Sequence, residues 1–186
     1  RTSHKHRPTT TAITFRNSHP DTMSTRTALL AAAISGMLSV ILGAFGAHGL
    51  NDTKYLERKY ADTPPKTVAG MQMPAAFKYF RDFETAVDYQ LTHTTALLAC
   101  GLLMQWRSTR WLRLAALAFS AGIVFFSGSL YVLVIGGPRW LGVPWGMVAP
   151  LGGTLLIAGW LLLAIHCAGL GRVRPECPES PDRPHP

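Results

Sequence analysis

Two histidines, one glutamine, two serines and a tyrosine lie in or beside stretches that carry no charge: His48, Gln90, His93, Ser127, Ser129 and Tyr131. Imidazole changes charge near neutrality, and burial or a neighbouring acid moves its titration either way. The acids nearest to Gln90 and His93 in sequence are Glu84 and Asp88. Such a set can relay a proton or hold a small polar ligand. The same side chains can instead hydrogen-bond helix to helix in an apolar medium, at about 0.6 kcal/mol per bond on average, and this is the favoured reading. Metal chemistry is weaker: no attachment motif or third ligand accompanies the two histidines, so no metal or cofactor is expected. Cys100, Cys167 and Cys177 fall at three depths without a C-x-x-C spacing and do not make a disulfide framework or zinc site. Nucleophile elbow, P-loop, dinucleotide fingerprint and H-E-x-x-H are all missing, so no enzyme is expected.

What positions these residues follows from the stretches around them. Residues 28–47, 89–106, 114–137 and 148–170 contain no Asp, Glu, Lys or Arg. Runs of about 18 or more apolar residues can cross a hydrocarbon core roughly 30 Å thick as helix. In lipid every backbone group must be paired internally, which selects helices here, since a barrel would show short alternating strands. The expected fold is all-α, a four-helix transmembrane bundle occupying residues 27–171. Residues 51–84 form the one sizeable loop, broken at Pro64-Pro65. Its second half repeats Phe77, Phe80, Phe83 and Val87 at helical spacing, with Lys78, Arg81, Asp82 and Glu84 between them. That pattern predicts an amphipathic helix in the first loop, lying at the headgroup level or capping the bundle.

Small residues give the helices their packing faces. Ala31, Ser35, Ser39, Gly43 and Ala47 recur every fourth position, a smooth stripe suited to close helix contact in lipid. A discarded signal peptide needs no such face, so the first span is expected to be retained. Gly122, Gly128, Gly152, Gly153 and Gly159 are expected to serve packing as well. Pro150 with Gly152 and Gly153 also suggests an irregular first turn in the fourth span, baring backbone toward the polar residues. Trp160 reads as a core filler. Trp140 and Trp145, among Gly and Pro, mark a loop at the membrane edge.

The ends of the chain read as appendages. Residues 1–26 form a basic arm, expected to be disordered; Met23 is a plausible start, and the arm also has transit-peptide character. Residues 172–186 are a Pro-rich, polar tail expected to be disordered. The net charge of +8 does not imply nucleic acid. Four crossings put the arm, the 107–113 turn and the tail on one side with eleven Lys and Arg, against seven on the other. The excess predicts cytoplasmic termini. Alternating direction also brings His48, Gln90, His93, Ser127, Ser129 and Tyr131 to one leaflet. There His48 and His93 are expected to face each other, with His93 about 8 Å along its helix from Asp88. His166 falls at the opposite end and reads as interfacial.

Two strings are specific in combination. Span one ends Gly43-Ala44-Phe45-Gly46-Ala47-His48-Gly49-Leu50, and span two opens on Phe83-Glu84-Thr85-Ala86, followed by Tyr89-Gln90 and His93. With Phe126-Ser127-Gly128-Ser129-Leu130-Tyr131 and Pro150-Leu151-Gly152-Gly153, they resemble domain-of-unknown-function family 423, small membrane proteins widespread in bacteria. The similarity runs from about residue 27 to 170, with a longer loop after His48 and extra tails. The resemblance implies a four-span integral membrane protein and supplies no activity; the inner membrane is the expected location. The expected role is a non-enzymatic accessory or structural component, whose partners are the bilayer and a second copy or another membrane protein. The alternative is a small transporter for protons or a polar solute.

Overall fold

The computed structural model describes residues 23–51 and 54–170. The arm before Met23, the tail after Leu170 and Cys177 lie outside the described residues. Helix α1, Thr25–Ala44, starts where the Ser24 hydroxyl accepts the Thr27 N–H, and it continues as a π-helical turn, Phe45–Leu50. A five-residue helix α2, Tyr55–Lys59, follows. Strands β1, Lys66–Val68, and β2, Met71–Met73, then pair antiparallel, with Val68 opposite Met71. Ala69 and Gly70 between them both have positive φ, 48° and 82°. That is the backbone of the tight turn whose twist suits a two-residue hairpin. The hairpin is an addition to the expected all-α fold.

Helix α3, Ala75–Trp106, is a single unbroken helix of 32 residues, about 48 Å long at 1.5 Å per residue. The expected separate amphipathic helix is therefore corrected: the amphipathic stretch is the first part of α3 itself. Its inner face, Tyr79, Phe83 and Ala86, is buried, and Phe83 packs with Leu50, Leu133 and Val134. Phe77 stays exposed. The stretch therefore packs as part of the bundle.

After the Thr109 cap comes α4, Arg110–Ile123. A π-helical turn, Val124–Gly128, joins it to α5, Ser129–Ile135, without a break in direction. Two single turns, Trp140–Gly142 and Trp145–Met147, lead into α6, Val148–Leu170. Helix α6 is regular from its start, so the irregular opening turn expected at Pro150 is also corrected. Helices α1 and α3 pack together, α4 packs on both α3 and α6, and α1 barely touches α4.

Among the described residues, three helical stretches are long and apolar enough to cross a membrane: Thr25–Leu50, Arg110–Ile135 and Trp145–Leu170. Helix α3 is long enough, but Gln90, His93 and four threonines, with the charges of its first turns, dilute its hydropathy.

The end of the bundle where α5 stops is tied by the first loop. Tyr60 donates its hydroxyl to the Val134 carbonyl at 2.9 Å, and the Lys59 ammonium donates to the Ile135 carbonyl. These are terminal carbonyls of α5, which have no acceptor role left inside the helix. A cation there also complements the negative end of the helix dipole.

Candidate functional site

Two apolar clusters are separated along the bundle by a polar layer. One holds Ala28, Ala32, Leu97, Cys100, Leu112 and Phe119; the other holds Leu50, Leu56, Tyr60, Phe83, Leu133 and Val134. Between them Gln90, only 4% exposed, joins three helices. Its Nε2 donates to the Ser35 carbonyl of α1 at 2.9 Å, and its Oε1 accepts the Tyr131 hydroxyl of α5 at 2.8 Å. The Ser35 and Thr94 hydroxyls bond at 2.7 Å one turn further along. Helix geometry explains the pairing: Gln90 and Thr94 are four apart and share the face turned to α1. Thr94 was not among the expected residues, although that spacing from Gln90 was the available signal.

Glycines set the register of α1 on α3. Gly36 faces Thr94, Gly43 faces Val87, Gly46 faces Phe83, and Leu29 covers Gly101. His93 thus lies level with Met37, near the middle of the 26-residue stretch Thr25–Leu50. Its ring is buried beside Tyr89, Phe119 and Trp160, on the side of α4 and α6, and Nδ1 donates to the Tyr89 carbonyl at 2.7 Å. His48 sits on the π-helical turn and is exposed. The two histidines therefore do not face each other across the first hairpin, which corrects that expectation. Trp160 is half exposed and edge-on to Phe119, so it borders the bundle rather than filling its core.

Ser129 is buried and donates to the Phe126 carbonyl of the π-helical turn just before it. The Ser127 hydroxyl is the one buried side-chain oxygen without a hydrogen-bond partner among the described residues. It lies in the π-helical turn, a rare element frequent at functional sites. Ser39 is buried and bonded to the Gly36 carbonyl.

The remaining small residues divide. A Cβ at Gly152 would sit 2.2 Å from the Phe126 nitrogen, so α6 meets the π-helical turn backbone to backbone. At Gly122 it would meet Leu156 at 2.4 Å. Gly153 makes ordinary contact with the Phe126 ring at 3.8 Å. Nothing lies within 4 Å of a Cβ at Gly128, which is not a packing glycine in the sense expected. Gly128 instead lines a cleft of about 420 Å³ between α1 and α4–α5, floored by Ser35, Gln90 and Tyr131 and otherwise walled by Ile34, Leu38 and their apolar neighbours. His166, expected at the opposite end from the polar residues, lies near the end of α6; it is 4% exposed, and its Nδ1 is 2.8 Å from the Thr109 hydroxyl.

No group of three or more His, Cys, Asp or Glu that could hold a metal is found among the described residues. Chemically the polar layer does one thing well: it satisfies buried amide and hydroxyl groups helix to helix.

The family described as "Protein of unknown function (DUF423)" matches residues 42–153. The chain is 35% identical over 150 residues to the inner membrane protein YgdD of Escherichia coli (strain K12), covering 81% of this chain and 95% of that protein. It is 37% identical over 137 residues to a membrane protein of Staphylococcus haemolyticus, covering 74% and 91%. A membrane protein of Staphylococcus saprophyticus is 35% identical over 137 residues, covering 74% and 92%. No solved structure matches. With these relatives and its three apolar helices, the chain is an integral membrane protein, and it belongs to the DUF423 family.

Proposed function

We propose that this protein is a four-span, non-enzymatic accessory or structural component of the inner membrane, with both termini cytoplasmic. Its Gln90 layer acts as an interhelical lock. The observation that carries the reading is the Gln90 amide, whose two ends are taken up by Ser35 of α1 and Tyr131 of α5. An amide engaged at both ends by neighbouring helices ties those helices together. The fourth crossing is α3. Its register along α1 supports this, since Phe83 lies level with Gly46 and Gly101 with Leu29, near opposite ends of the α1 span. Orientation rests on the excess of Lys and Arg at the arm, the 107–113 turn and the tail. The partner is a second copy or another membrane protein, which co-purification at fixed stoichiometry would identify.

The test is flux. Vesicles loaded with the purified protein are expected to leak protons no faster than empty ones. A flux abolished by His93→Ala, with folded protein retained, would overturn the structural reading.

A further inference from the structure

The opposite end of the bundle holds a second cavity that the Gln90 layer does not use. It measures about 440 Å³, within the roughly 300–1,000 Å³ usual for small-molecule sites, and lies where the α3–α4 turn meets the end of α6. Its lining includes Arg107, Thr109, Trp111, Ile165, His166 and Leu170. Arg107 is exposed, while His166 is buried in the wall.

The Thr109 hydroxyl, which accepts the Leu112 N–H at 3.3 Å as the cap of α4, lies 2.8 Å from Nδ1 of His166 and anchors the ring. In the tautomer where that hydroxyl donates to Nδ1, the ring carries its own proton at Nε2. The cavity is then offered an N–H donor from a side chain held in place by a helix cap, beside a guanidinium. Arg110, stacked over Trp111 at 4.7 Å, adds a second cation at the same turn. Ile165 and Leu170 extend the wall as exposed apolar surface on α6.

Donors and cations beside an apolar wall, at the end of membrane-crossing helices, match one kind of occupant. The geometry points to a binding site for the phosphate headgroup of an anionic phospholipid, contacted by Arg107 and the Nε2–H of His166, with the lipid's chain along Ile165 and Leu170. Charge complementarity selects the phosphate, because guanidinium and imidazole N–H groups are strong donors to its oxygens. Basic pockets between helices at a membrane face are known to take such headgroups. The apolar wall selects a lipid over free phosphate.

Delipidated full-length protein titrated with phosphatidylglycerol, and separately with phosphatidylcholine or inorganic phosphate, tests this by native mass spectrometry. Phosphatidylglycerol should bind in preference to phosphatidylcholine, and inorganic phosphate should not displace it. Arg107→Gln should weaken phosphatidylglycerol binding about tenfold, the loss of one charge-assisted hydrogen bond. Arg139→Gln, in the turn at the other end of the bundle, should leave it unchanged. Because Arg107 is exposed, its replacement leaves the bundle folded. The proposal is overturned if Arg107→Gln binds phosphatidylglycerol as tightly as the parent, if both variants weaken it alike, if phosphatidylcholine binds equally well, or if inorganic phosphate competes at equal concentration.

Discussion

Gln90 and Tyr131 belong to different helices, yet the Tyr131 hydroxyl donates to the Gln90 amide oxygen and joins them. Tyr131→Phe removes the donor to Gln90 Oε1 at 2.8 Å, and Gln90→Leu removes that bond together with the one to Ser35. A double-mutant cycle of the two, measured by unfolding in detergent, should return a coupling of about 0.6 kcal/mol and no more than about 1.7 kcal/mol. A coupling near zero would mean that the layer does not hold the helices. The order of the spans predicts which of these residues share a depth, because alternation of direction needs nothing more. It does not give the face of each helix. His48 and His93 were therefore paired by depth, although His93 turns toward Phe119 and Trp160 and His48 lies exposed on a π-helical turn. A π-helical turn changes which face follows it, and nothing in the Phe45–Leu50 residue types announces one.

Helices and their ends set the next scale. Small residues were legible as packing residues, but only distance separates those that admit backbone contact from those that merely line space. Gly152→Ala should cost about 3 kcal/mol or more, since its Cβ meets the backbone of Phe126 and neither helix can yield alone. Gly128→Ala should be tolerated, with open space around its Cβ. Thermal unfolding of the two variants side by side checks the contrast, and equal melting temperatures would refute it. At the end of α5, burial first, and then the neighbouring Tyr79 and Tyr55, push the Tyr60 phenol above its ordinary value of 10.0. Below that pH the phenol is protonated whether the chain is folded or not. Above it the unfolded chain ionises first, so stability should fall as pH rises past about 10. Tyr60→Phe should flatten that slope in unfolding measured across alkaline pH, at the cost of the bond to Val134. The β1–β2 hairpin escaped sequence reading because Ala-Gly is a weak turn signal beside the usual Asn-Gly or Asp-Gly.

For the molecule as a whole, four uncharged stretches were legible in the sequence, and three of the described helices are long and apolar enough to cross, which leaves the fourth crossing to be argued. Helix α3 combines a charged start with a polar middle, and the polar residues that dilute its hydropathy are those that bind it to α1 and α5. A span that buries Gln90, His93 and Thr94 against neighbours need not look apolar from its sequence. The account therefore depends on α3 crossing the membrane beside α1. Single cysteines placed in a chain freed of Cys100, Cys167 and Cys177, and labelled in intact cells and in inverted vesicles with an impermeant maleimide, test this directly. Arg26→Cys and Ser108→Cys should react from one side, and Thr67→Cys and Leu141→Cys from the other. If Ser108→Cys reacts from the side that labels Thr67→Cys, α3 does not cross, and the four-span bundle is wrong.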